Sequence, residues 1–117
     1  MNNIIRITRH AADEVQTAEL RRIYGHDAKI VLVSENLPNA PQDAVARFDE
    51  IAADAAVVEV VLPVNLLEAV LKFSAFSKRG GVIIRAVMER TLVDKTPVFA
   101  FARYERVMKV EIVTESL

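Results

Sequence analysis

The spacing of apolar positions changes repeatedly along this chain. Residues 3–8 form a short apolar run rich in β-branched side chains, which predicts a strand rather than a helix. Asp13, with Gln16 three residues later, has the form of a helix start in which a carboxylate accepts an orphan amide. Val15, Ala18 and either Ile23 or the stem of Arg22 then share one face, and Gly25 supplies the stop, so a first helix is expected over residues 13–24. The run 28–33, polar only at Lys29, predicts a second strand, and residues 34–39 read as the loop after it. Pro41 suits the first turn of a second helix, in which Val45, Phe48, Ile51 and Ala52 recur at helical spacing.

Residues 55–62 make the most apolar strand candidate, with Glu59 the one charge inside it. Pro63 has no amide to give a ladder and ends it. Asn65 then reads as the N-cap of a third helix, whose Leu66, Leu67, Val70, Leu71 and Phe73 or Ser74 cover a broad apolar face. Lys78 and Arg79 fall where cations favour a helix end, and Gly80 with Gly81 closes it. Two strand-like stretches follow, 82–93 and 98–106, separated by a turn at 94–97, which predicts an antiparallel hairpin. The extended pattern continues over 107–114, with Val110 and Ile112 alternating with polar neighbours. Three strand–helix units followed by a hairpin predict one α/β domain over residues 1–117, a three-layer Rossmann-like sheet with a parallel core and an antiparallel edge.

Composition narrows the class of protein. The chain has 117 residues, enough for a real core, and 52% of them are apolar. That fraction is high for a small chain and points to strands buried on both faces or to a subunit interface, with a homodimer expected. The net charge of −1 lacks the basic stripe of a duplex-DNA binder, while leaving room for a local anion site. With no cysteine there is no disulfide framework, thiolate zinc site or thiol nucleophile. No secretory leader is recognisable, and the longest apolar stretch, 52–71, is broken by Asp54, Glu59, Pro63, Asn65 and Glu68, so no membrane partner and a cytoplasmic setting are expected.

In an open α/β sheet, ligands bind beyond the carboxyl ends of the strands. Four segments gather there if the first four strands are parallel. They are Thr8-Arg9-His10, Ser34-Glu35-Asn36, Pro63-Val64-Asn65 and Val87-Met88-Glu89-Arg90. Together they offer guanidinium, imidazole, hydroxyl, carboxamide and carboxylate groups, and a helix start would add partial positive charge. The set suits a small anion such as a nucleotide. Each piece also has a plain structural reading: a wet βα turn, a helix cap at Asn65, a water-facing Glu35, an exposed edge at Glu89 and Arg90. No Gly-rich dinucleotide loop, Walker loop or His-Glu-x-x-His pair occurs. Two histidines at opposite ends of the domain, His10 and His26, build no metal site, and no cofactor is called for.

Thr8-Arg9-His10 followed by Val15-Gln16 resembles the opening of small CRISPR-associated and mobile-element proteins of the ring-nuclease type, which begin with a strand ending in Ser/Thr-x-His. Leu37-Pro38 after strand 2, residues 53–57 leading strand 3, Arg90 ending strand 4 and Pro97-Val98-Phe99 in the hairpin extend the similarity over nearly the whole length. Two positions depart from the family: no glycine follows strand 3, and Ala100-Phe101 stand where the family carries Lys and His. The resemblance implies a Rossmann-like protein that binds a cyclic oligoadenylate second messenger and cleaves it without metal, with His10 and Arg90 beside the phosphodiesters. Cleavage would need a 2′-hydroxyl in line with the scissile phosphate. Arg9 or Arg90 would balance the transition-state charge, and His10 would protonate the leaving oxygen. Thr8, Ser34, Glu35, Asn36, Asn65 and Glu89 are the expected ligand contacts. The alternative is a non-enzymatic accessory protein that docks a partner through an apolar edge, for which the 98–101 strand is the candidate. A nucleotide or small-metabolite enzyme of another kind is a third reading.

Overall fold

The computed structural model describes residues 3–10, 13–111 and 114–117. Its elements are β1 (Asn3–Ile7), α1 (Glu14–Tyr24), β2 (Lys29–Val33), α2 (Pro41–Ile51), β3 (Val57–Val60), α3 (Val64–Phe73), α4 (Ala75–Lys78), β4 (Val82–Val93) and β5 (Thr96–Arg106). One sheet runs in the order β2-β1-β3-β4-β5. Its first four members are parallel, and β5 closes the edge antiparallel to β4. The chain is therefore a mixed α/β protein.

Side chains alternate across each strand, so neighbouring residues serve different cores. Ile7, Val58, Val60 and Ile83 point to the side where α2, α3 and α4 supply Ala44, Phe48, Leu66, Leu67, Val70 and Phe76. Ile4, Val57 and Ile84 point the other way, onto Leu20 of α1. The first core is the larger. Phe48 and Phe76 meet edge-to-face in it, ring centroids 5.6 Å apart. Gly81 lies against the same ring so closely that a Cβ there would fall 2.5 Å from Phe76.

The long third helix expected from residue 65 to the glycines is broken in two. Ser74 is extended (φ −70°, ψ 143°), ends α3 and caps α4, its side chain accepting from the Ser77 amide. Asp49 of α2 accepts from the next two amides, Ala75 and Phe76, so the break satisfies the orphan donors that it creates. Arg79 then donates to the carbonyls of Ala52, Ala53 and Ala55 just past α2 and lies over the Phe76 ring.

At its other end, α3 starts at Val64 with Pro63 as N-cap. Asn65 is thus inside the first turn and is not the cap, because the chain turns helical as soon as proline's fixed φ allows. The hairpin turn shrinks to two residues, Asp94 and Lys95, both at positive φ (50° and 66°), the twist that a tight hairpin requires. Thr96 and Pro97 are therefore already in β5, opposite Val93 and Leu92.

After β5, the expected extended run does not form a strand over 107–111. Its last tie to the sheet is the Val107 amide on the Ile83 carbonyl, and Val107 and Val110 pack on the larger core. Ile112 lies outside the described residues. Among the described residues, no helix is long and apolar enough to cross a membrane.

Candidate functional site

β1 ends at Ile7, and the chain turns at once. The Thr8 hydroxyl, itself buried, accepts from the His10 amide at 3.3 Å, a local bond that throws Arg9 and His10 outward. Beneath this turn lies a buried ion pair absent from the sequence expectations. Arg6 and Glu59 are aligned on adjacent strands and are 3% and 2% exposed. Arg6 Nε and Nη2 donate to the two Glu59 oxygens at 2.8 and 3.1 Å. The guanidinium also donates to Gln16 Oε1 on α1 and to the His10 carbonyl, both at 3.3 Å. One side chain thus ties β1 to β3, to α1 and to the turn that presents His10.

Burial is the largest single influence and works against the charge on Arg6, but the bond to Glu59 and its charge, with a smaller part from Tyr104, together outweigh it, and the pKa is raised. Tyr104 of β5 sits over the same pair, with its hydroxyl buried and without a hydrogen-bond partner. Burial first, and then the nearness of the Glu59 carboxylate, raise its pKa, so it remains a neutral phenol.

Above the turn, a cleft of about 330 Å³ opens at the carboxyl ends of β1, β3 and β2. Thr8, Arg9 and His10 form one wall, Glu35, Asn36 and Asn39 a second, and Leu62, Pro63 and Leu66 the apolar floor. In this strand order, the crossovers diverge between β1 and β3, the place where open α/β sheets form ligand crevices. The volume is at the lower end for ligand sites and matches one nucleotide-sized unit.

The charge balance at the mouth is uneven. Glu35 is taken up by Arg47 of α2, with bonds of 2.7 and 2.8 Å, and this contact holds its carboxyl below the ordinary range. Among the described residues, no side-chain hydrogen bond or ion pair occupies Arg9 or the His10 ring. The α1 N-terminus is closed by Asp13, which accepts from the Gln16 amide at 2.7 Å. The α2 and α3 N-termini, at Ala40 and Pro63, have no side-chain cap, and that of α3 borders the cleft through Pro63 and Leu66.

The structure brings Thr8, Arg9, His10, Glu35 and Asn36 together on this cleft. It places Ser34, Asn65, Glu89 and Arg90 elsewhere. Ser34 and Asn65 are exposed beside the cleft without lining it. β4 does not end at Arg90 but continues to Val93, and its pairing with β3 stops at Ile84. Arg90 is six residues further on, roughly 20 Å past that level at about 3.3 Å per residue. Glu89 faces Arg103 at 3.4 Å, so Glu35 and Glu89 do not converge as an acid/base pair. Among the described residues, no three His, Asp or Glu side chains gather as a metal set. The arrangement can therefore hold an anion through Arg9, His10 and the backbone amides at the start of α3.

Sequence reasoning missed Arg6, Gln16, Arg47 and Tyr104. A signal for the first existed: Arg6 and Glu59 are the single charges inside two apolar strands, and opposite charges in buried strands require each other. Compared with known proteins, the chain matches no family model, no curated protein and no solved structure.

Proposed function

We propose that the chain is a three-layer Rossmann-like protein whose cleft binds a cyclic oligoadenylate-like nucleotide, one phosphodiester lying against Arg9 and His10. The observation that carries this reading is the Arg9–His10 pair, without a side-chain partner among the described residues, lining a nucleotide-sized cleft together with the uncapped N-terminus of α3. Helices on both faces of a parallel β2-β1-β3-β4 core support the layered fold. The cleft holds one unit of such a ligand, so a homodimer presenting two clefts suits a cyclic molecule better than a monomer does.

Cleavage within this reading is a metal-independent transfer. The ribose 2′-oxygen bonds to the adjacent phosphorus, forming a 2′,3′-cyclic phosphate, and passes its proton to water. The bond from phosphorus to the 5′-oxygen breaks, and His10 as imidazolium protonates that oxygen while Arg9 balances the charge. Arg90 of the same chain stands too far from the cleft for this role. A thermal-shift series with cyclic and linear oligoadenylates tests the reading. A ligand at a hundred times its dissociation constant stabilises by about 2.7 kcal/mol, and Arg9→Ala should abolish most of the shift. Equal shifts in the wild type and Arg9→Ala would place the ligand elsewhere, and no shift with any nucleotide would end the reading.

A second reading keeps the chain non-enzymatic and has it dock another protein in the cytoplasm through an apolar edge. The exposed Leu92 and Phe99 on the terminal hairpin favour it.

A further inference from the structure

β4 and β5 leave the body of the protein as an arm. β3 accompanies β4 only as far as Ile84, and every residue from 88 to 100 is exposed. The radius of gyration, 15.5 Å, exceeds the roughly 13 Å of a compact chain of this length, as a projecting arm requires.

The two faces of the arm differ. A bulge lies at Val87/Met88, and beyond it the cross-strand pairs Met88–Phe101, Arg90–Phe99 and Leu92–Pro97 share one face. Phe101 stacks on Tyr104 with centroids 4.9 Å apart, and Tyr104 packs on the α1-side core, so this apolar face continues the α1 side of the sheet. The opposite face carries Glu89, Arg103, Glu105 and Arg85 in mutual ion pairs along its base, with the smaller Val93 and Val98 beside Thr91 toward the tip. Leu92 and Phe99 are each 68% exposed and Met88 47%. The body is under-covered on the same side. A single helix about 10 Å wide spans part of a five-stranded face roughly 24 Å across. Leu32 of β2, aligned with Arg6 on this face, stays 43% exposed, and α1 itself shows Val15 and Ile23 to solvent.

We infer that the apolar face of this arm docks on the α1 side of a second copy of this chain, each copy receiving the other's arm. Area selects this occupant. A ribbon about 20 Å long and about 10 Å wide buries some 400–600 Å² in total when both contacting surfaces are counted. A single arm on an unrelated protein therefore falls well below the 1,200 Å² or so of a stable complex. Reciprocal docking about a two-fold axis doubles the burial to roughly 1,000 Å², the threshold for a specific interface. The inference depends on neither the ligand nor any cleavage at the cleft.

Sedimentation and light scattering of the full chain across the micromolar range test it. The expected mass is twice 13.0 kDa. Phe99→Glu and Leu92→Glu should each weaken the dimer at least about 100-fold, since each change strikes the two-fold interface twice. Thr91→Glu, on the charged face, should leave it a dimer. None of the residues described beyond Ile84 is fully buried, so these variants should keep the wild-type circular dichroism. If a Glu variant fails to fold, a chain with residues 89–100 replaced by a two-residue Asn-Gly turn should still be folded and monomeric. A wild type that is monomeric throughout overturns the inference while leaving docking to a different protein open. A dimer indifferent to Phe99→Glu and to the shortened hairpin overturns it as well. So does a monomer that co-sediments with phosphatidylserine-containing vesicles, which would assign the arm to a membrane surface.

Discussion

Replacing Glu59 with Leu leaves the Arg6 guanidinium buried against Gln16 and a carbonyl, with no counter-charge. Breaking a buried pair from one side costs about 3–5 kcal/mol. For 117 residues, the entropy of unfolding is about 0.25 kcal/mol/K at the midpoint, so Tm should fall by roughly 12–20 °C. Whole-domain stability is typically about 5–15 kcal/mol, so the variant stays folded at low temperature but with a narrow margin. The double variant Arg6→Met/Glu59→Leu should return to within about 1 kcal/mol of the wild type or exceed it, because desolvating both charges costs nearly as much as their attraction returns. Urea and thermal unfolding of the four-member cycle measure this, with a coupling of several kcal/mol expected. The reasoning is refuted if Glu59→Leu alone costs under about 1 kcal/mol, or if the double variant is as unstable as the worse single one. The restored double variant still lacks the Arg6 bond to the His10 carbonyl. Its amides at residues 8–10 should exchange faster than in the wild type despite recovered stability.

Gly81→Ala should destabilise by about 1–3 kcal/mol through the clash with the Phe76 ring, and Phe76→Leu in the same chain should recover part of the loss in a urea melt. Glu35 has its pKa lowered from 4.5, chiefly by the Arg47 bond. Its stabilising contribution is therefore present above pH 4.5 and lost as pH falls through the lowered value, so Arg47→Gln should flatten the acid side of a Tm–pH curve. An unchanged acid limb would mean that the pair is not maintained in solution. Tyr24 and Tyr104, the chain's two tyrosines, both have pKa values raised from 10.0, burial being the first cause in each. A raised folded pKa gives stability that holds below pH 10 and is lost as pH rises through the folded values. The phenolate absorbance of the native chain should accordingly lag that of the urea-unfolded chain, and coincident titrations would contradict the burial.

The elements were legible where one local signal decided them. Asp13 and Gly25 bound α1, Pro41 opens α2, and the apolar runs at β1 and β2 are strands with ends within a residue or so of those expected. Where a tertiary partner decided, the sequence was silent. Nothing local in residues 71–78 announces that Asp49, on another helix, will cap a break at Ser74. The site was legible in the same proportion. Thr8 to His10 and Glu35-Asn36 reach the cleft because they immediately follow strands whose ends coincide. The expected strand over 82–93 has the bounds of β4, but its pattern does not show that β3 accompanies it only to Ile84, so Glu89 and Arg90, placed at the carboxyl edge of the sheet, lie instead on an arm beyond it.

The two faces of the sheet carry different burdens. The side of α2, α3 and α4 is packed by aromatic and aliphatic side chains, with Phe48 and Phe76 fully buried at its centre and its polar groups confined to helix ends. The α1 side holds a buried ion pair, a tyrosine whose buried hydroxyl has no hydrogen-bond partner, and an apolar ribbon left in solvent. None of these is the economical choice for stability, since hydrophobic replacement of a buried pair is commonly neutral or better. Departures of this kind concentrate where a structure is held for use rather than for folding. Here they share one geometric consequence. Arg6 fixes the turn that presents His10, and Tyr104 links that pair through Phe101 to the base of the arm. A second copy seated on the arm would press on Phe101 and Tyr104 and so reach the Arg6–Glu59 pair, giving dimer formation a physical route to the cleft. Tyr104→Phe separates the two: it keeps the ring against Phe101 and removes the hydroxyl beside Glu59. Dimer affinity should be retained and any dependence of nucleotide binding on dimerisation reduced, which titrations at low and high protein concentration would measure. If the concentration dependence survives in Tyr104→Phe, the coupling does not run through the hydroxyl.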